Sequence, residues 1–147
     1  MDRSILITGC SSGIGYDAAH GLKARGWRVF ATCRNEVDCE NLRKEGLESF
    51  RLDYDDTTSI QSAVKYILNN NNGVLGALFN NGAFACPGAL EDLPRDALRA
   101  IFETNLFGYN ELRILAAQKK DPNHLPALWS KDVYKFNEFR QPFLIYK

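Results

Sequence analysis

The stretch Ile5-Leu6-Ile7-Thr8-Gly9-Cys10-Ser11-Ser12-Gly13-Ile14-Gly15 constrains what this chain can fold into more than any other. An apolar run stops abruptly at small residues, and helical periodicity begins at once. That order is strand, tight turn, helix. Gly9 lets the chain leave the strand at backbone angles closed to a residue with a Cβ. Gly13 and Gly15 leave no side chain where phosphates must approach the backbone and where the helix must pack on the strand. The first N–H groups of the helix lack intrahelical acceptors, and the positive end of its dipole points the same way. Such a turn suits a pyrophosphate. Taken alone it is equally compatible with an ordinary strand–helix loop, so the rest of the chain has to decide.

The rest alternates. Residues 5–8 read as a strand buried on both faces, and the first helix carries Ile14, Ala18 and Leu22 on one face. Lys23, Arg25 and Gly26 supply its stop. The pattern predicts a second strand over 27–33 ending at Arg34, then a helix over 37–45 closed by Gly46. A third strand over 47–52 ends at Asp53, beside Asp55-Asp56 and the helix-starting Thr57-Thr58-Ser59. Ile60, Val64 and Ile67 recur at helical spacing until the asparagine run 69–72 and Gly73 end that helix. A fourth strand over 74–79 leads into Asn80-Asn81-Gly82-Ala83. Pro94 suits the first turn of a long helix with Leu98, Ile101, Phe102, Leu106, Tyr109 and Leu112 on its buried side. Parallel strands joined by right-handed crossovers bury this pattern economically. The expected fold is α/β: a Rossmann-like doubly wound parallel sheet of order 3-2-1-4, with the ligand over the strand ends where the order reverses.

Composition narrows the function classes. Lys+Arg and Asp+Glu are equal at 18 each, so no basic surplus argues for nucleic acid or an anionic membrane. No apolar run approaches the roughly 20 residues of a membrane span, and residues 1–4 lead into a strand without a signal-peptide core. The cytosol is the expected location. Cys10, Cys33, Cys39 and Cys86 show no C-x-x-C and no histidine at metal-ligand spacing, so no metal site is expected. Reduced thiols filling small spaces are the simpler reading.

On Thr8 to Gly15, the chain resembles the short-chain dehydrogenase/reductase family, whose N-terminal signature T-G-x-x-x-G-I-G is matched at every fixed position. The resemblance runs from Ser4 to about Leu112. It implies hydride transfer between nicotinamide and an alcohol or carbonyl substrate, with Thr8, Gly9, Ser11, Ser12, Gly13, Ile14 and Gly15 around the cofactor. In NAD-selecting members an acidic residue ends the second strand; here Cys33-Arg34 stands there. A guanidinium offers a bidentate partner to a 2′-phosphate, and Ser11 can add a hydrogen bond, so NADP is favoured over NAD. The alternative for Arg34 is a solvated loop cation. Asp53 corresponds to the residue that meets adenine, and equally reads as a turn-forming Asp before Asp55-Asp56. Asn80 to Ala83 matches the family's N-N-A-G with the last two residues exchanged. Asn81 is then a structural and cofactor-contacting amide, with Gly82 and Ala83 against the ribose. Asn105, within Glu103-Thr104-Asn105-Leu106, matches the family's catalytic Asn, which helps hold a water in a proton relay; the alternative is a polar residue on a helix edge.

The resemblance then stops. The family's catalytic Ser and its Tyr-x-x-x-Lys pair have no counterpart, since no tyrosine of this chain has a lysine four residues on. Tyr109 with Arg113 is the nearest imitation, and core packing for Tyr109 with a solvated Arg113 is the simpler reading. The expected division is a nucleotide-binding domain over 1–117 and a divergent, irregular, aromatic-rich tail over 118–147. Three readings of that tail stand open: a truncation or frameshift product, a short helix over the sheet, or an edge strand over 143–146 beside the fourth. Without a fifth strand, the fourth strand and the long helix present open apolar surface, which implies self-association or cover from the tail. The competing reading of the whole is a catalytically silent nucleotide-binding or interaction module that pairs with an intact relative.

Overall fold

The computed structural model describes residues 3–117; the tail expectations fall outside them. The chain separates into the units Met1–Ala116 and Ala117–Lys147, and the first carries the fold. Strand β1 (Ser4–Thr8) is followed by α1 (Gly13–Ala24), β2 (Arg28–Cys33), α2 (Glu36–Lys44), β3 (Glu48–Arg51), α3 (Thr57–Asn70) and β4 (Ala77–Phe79). A short 3-10 turn over Leu90–Asp92 precedes α4 (Arg95–Phe102), a π-helical segment (Glu103–Gly108) and α5 (Tyr109–Ala117). The four strands are parallel and ordered β3-β2-β1-β4, as the alternation requires.

Period-two alternation splits the core between the two faces of the sheet. Ile5, Ile7, Val29, Ala31 and Cys33 pack with Ala19 of α1 and Cys39 and Leu42 of α2. Leu6 and Phe30 point the opposite way, onto Ile60, Ala63, Val64 and Ile67 of α3 and Leu112 of α5. Leu6, Phe30 and Leu112 are fully buried, each contributing about 1.5–3 kcal/mol of apolar burial.

Three details differ from the sequence expectation. Ile14 is 73% exposed, because α1 turns Gly15 and Ala19 to the sheet instead. Strand β4 is three residues long, not six: Ser4 Oγ takes the N–H of Gly76, and Asn71 Nδ2 donates to the carbonyl of Val74, which draws 74–76 out of the ladder. The long helix does not keep one buried stripe. The π segment inserts an extra residue per turn and rotates the apolar face, so Leu112 is buried while Phe102 and Leu106 are half exposed.

Candidate nucleotide cleft

The C-terminal ends of all four strands open into one cleft of about 370 Å³. Thr8, Gly9, Ser11 and Ser12 enter it from the β1–α1 turn, Arg34 and Asn35 from the end of β2. Asp53, Tyr54 and Asp55 follow β3, Asn81 to Ala85 follow β4, and Thr104 comes from the π segment.

The glycines of the turn are held by contact and by conformation. Gly9 has φ +68°, and a Cβ there would fall 2.4 Å from the Cα of Gly82. A Cβ on Gly15 would fall 2.4 Å from the carbonyl oxygen of Gly9. Gly13 differs: its φ is +60°, yet nothing lies within 4 Å of the place a Cβ would take. The space outside Gly13 is clear. Gly13, Ile14 and Gly15 form the first turn of α1 and do not line the cavity themselves. Ser12, the N-cap, makes no side-chain cap bond, and no acidic residue sits in that first turn. The positive end of the α1 dipole is therefore not compensated by its own N-cap or first-turn side chains, a condition that favours an anion there.

Thr8 ties the cleft floor together. Its Oγ1 accepts the N–H groups of Asn81 and Gly82, each at 3.0 Å. Tyr54 Oη lies 2.8 Å from Thr8 Oγ1 and 2.9 Å from Asn80 Oδ1. The amide oxygen can only accept, so the phenol proton goes to Asn80 and the threonine proton to the phenol oxygen. Burial pushes the Tyr54 phenol well above its usual range, which keeps it a donor. Asn81 Nδ2 donates to the carbonyls of Thr8 (3.0 Å) and Gly9 (3.2 Å), fastening the end of β4 to the glycine turn.

Asn105 lies in the π segment, a local distortion common at functional sites. Its Oδ1 accepts the N–H of Phe84 at 2.9 Å and its Nδ2 donates to the carbonyl of Phe84 at 2.8 Å. Four residues on, Tyr109 Oη donates to the carbonyl of Gly82. Tyr109 is thus more than core packing, and Arg113 is exposed and bonded to Asn110 Oδ1. Tyr54 belongs to no motif in the sequence, and its place directly after Asp53 at a strand end is the only signal that marks it.

Two charged residues complete the cleft. Arg34 is exposed, and its guanidinium has no hydrogen bond or ion pair among the described residues. Ser11 lines the same cavity. Asp53 is engaged: Arg51 reaches it at 2.9 Å, and its Oδ1 accepts the N–H of Asp55 at 3.3 Å. The turn-forming role of Asp53 is what these contacts display, while the residue still faces the cleft. Beneath the turn, burial pushes the Cys10 thiol up to about 12, so it stays protonated at neutral pH and serves as packing. Among the described residues no three His, Cys, Asp or Glu side chains are placed to hold a metal ion. No helix among them is long and apolar enough to cross a membrane.

Residues 3–120 match the family model described as short chain dehydrogenase. The chain belongs to the short chain dehydrogenase family. It is 36% identical over 119 residues to the uncharacterized oxidoreductase YbbO of Escherichia coli, covering 80% of this chain and 44% of that protein. It is 32% identical over 108 residues to the NADPH-dependent 1-acyldihydroxyacetone phosphate reductase of Schizosaccharomyces pombe, covering 73% of this chain and 36% of the other. Among solved structures, an actinorhodin polyketide ketoreductase crystallised with NADPH shares 28% identity at a TM-score of 0.69, over 78% of this chain and 46% of that one. A short-chain dehydrogenase from Streptomyces avermitilis shares 28% identity at a TM-score of 0.73, over 79% of this chain and 43% of its own. The chain therefore spans less than half the length of the curated relatives it matches.

Proposed function

We propose that the cleft binds a nicotinamide dinucleotide and prefers NADP(H) to NAD(H). One observation carries this reading: Arg34, whose guanidinium has no hydrogen bond or ion pair among the described residues, lines the same cleft as Ser11 and Ser12, the residues that lead into α1. In this reading the pyrophosphate rests on the backbone of residues 11–15, the 2′-phosphate on Arg34 and Ser11, and adenine near Asp53. The riboses lie along Asn81, Gly82 and Ala83. When bound, the nicotinamide supplies hydride chemistry toward an alcohol or carbonyl group, the activity of the family. The chain's own part is to hold the dinucleotide and to keep Asn105 beside the loop at Phe84, as a member of the proton-relay set. A direct test is titration with NADPH and NADH followed by nucleotide fluorescence. Arg34→Ala should weaken NADPH about tenfold or more, the worth of one charged hydrogen-bonded contact, and leave NADH unchanged. Equal affinity of the native chain for both coenzymes would remove the NADP preference.

The second reading, a catalytically silent nucleotide-binding or interaction module that pairs with an intact relative, is supported by the lack of any Tyr-x-x-x-Lys within these 147 residues. In either reading the binding domain spans residues 1–117 with 118–147 set apart, and the expected protein is cytosolic and self-associates through β4 and the long helix. Saturable NADPH binding without turnover, together with co-purification of a full-length partner, favours the second reading; NADPH oxidation with a panel of ketones and aldehydes at a rate comparable to full-length relatives would rule it out.

A further inference from the structure

Tyr54 and Tyr109 are the cleft's least expected feature. Their rings meet at 4.6 Å between centroids, tilted by 44°. Each places its hydroxyl on a different part of the segment after β4. Tyr109 takes the carbonyl of Gly82, while Tyr54 takes Asn80 Oδ1 and the hydroxyl of Thr8 that receives the N–H groups of Asn81 and Gly82. Gly82 is thereby held from both ends of its peptide units. The helix is pressed onto this pair, since a Cβ on Gly108 would fall 2.4 Å from the carbonyl oxygen of Tyr54.

The segment needs such holding for a local reason. Gly82 is the residue against which Gly9 packs, and as a glycine it has the widest backbone freedom of any residue. Nothing in its own side chain fixes the cleft wall at that point. Two hydroxyls on packed rings, Tyr54 buried and Tyr109 half-buried, do so from neighbouring elements, one after β3 and one at the start of α5.

We infer that Tyr54 and Tyr109 are positioning residues that clamp the Asn80–Gly82 wall in the shape that receives the dinucleotide. The inference rests on the nucleotide reading of the cleft and adds to it the residues that preorganise one wall. In this role both tyrosines act through Gly82 and Thr8.

Tyr109→Phe and Tyr54→Phe each remove one oxygen and keep the ring pair. Three quantities decide: NADPH dissociation constant, melting temperature, and amide hydrogen exchange of a peptide spanning residues 80–84. Tyr109→Phe should weaken NADPH about tenfold and accelerate exchange in 80–84, with exchange in β1 and β2 unchanged. Tyr54→Phe should move both readouts in the same direction. A role confined to stability would lower the melting temperature and speed exchange throughout, leaving NADPH affinity in the folded protein as it was; that result overturns the clamp. Loss of the folded circular-dichroism signal in Tyr109→Phe would make its hydroxyl a fold determinant and overturn it too. A native chain that binds neither NADPH nor NADH would instead sink the nucleotide reading, and is seen before any variant is made.

Discussion

Thr8 Oγ1 and the three glycines of the turn separate what the fold requires from what a ligand requires. Thr8 is 1% exposed, and Thr8→Val keeps its shape while stranding the N–H groups of Asn81 and Gly82. Unfolding by urea should show a loss of about 2–4 kcal/mol, the sum expected for such unmet donors. Gly9→Ala should be worse, about 3 kcal/mol or more, because a left-handed backbone is combined with a clash against Gly82 backbone. Gly13→Ala has the backbone cost alone, about 1 kcal/mol, with open space around the new methyl. Its effect should fall on the ligand: NADPH affinity down by about tenfold or more, through a methyl where phosphate oxygens approach the amides. A Gly13→Ala chain that binds NADPH as well as the native one would show that the phosphates lie elsewhere. These glycines were legible in the sequence because backbone geometry leaves few residue types possible there. Tyr54 and Tyr109 were not, because their work depends on which distant carbonyl or amide each ring reaches, and no local spacing records that.

At the scale of elements, the strand order and the two-sided core were readable from alternation, and boundaries were set by side chains that the alternation does not weigh. Asp56 is the clearest case: it caps α3, its Oδ1 accepting the N–H of Ser59, while Arg51 reaches its other oxygen at 3.3 Å. The amide of Ser59 and then the Arg51 guanidinium hold its carboxyl below the ordinary 3.8. A depressed carboxyl stabilises the fold above its unfolded value, and that contribution fades as pH falls below about 4. Asp56→Asn keeps an acceptor for the cap and abolishes the titration. In urea at pH 7 the native chain should therefore exceed Asp56→Asn in stability, and the difference should shrink by pH 3. A difference that held constant between those two pH values would show that Arg51 and the cap contribute nothing through charge. The long helix failed the same kind of forecast for a different reason. A six-residue π segment lies in its middle, and periodicity arguments assume a constant turn.

Across the whole molecule the two edges of the sheet are unlike. β3 ends in Arg51, which is tied to Asp53 and Asp56, and carries Glu48 paired with Arg28, so charged side chains blunt that edge. β4 presents only Ala77, Leu78 and Phe79, all half-buried, with no neighbour beyond it among the described residues. The helix that follows adds Phe102, Leu106, Phe107 and Ile114, each between 46% and 56% exposed. An unpaired strand edge and four exposed large apolar side chains are features that water disfavours and another protein surface can cover. The chain at rising micromolar concentration should therefore shift to larger species in light scattering behind size exclusion. Phe107→Glu places a charge on that surface at a residue 56% exposed and without a role in the cleft. It should move the population back toward monomer and leave NADPH affinity intact. A native chain that stays monomeric at every concentration, with Phe107→Glu indistinguishable from it, would mean that this apolar surface drives no association of the chain.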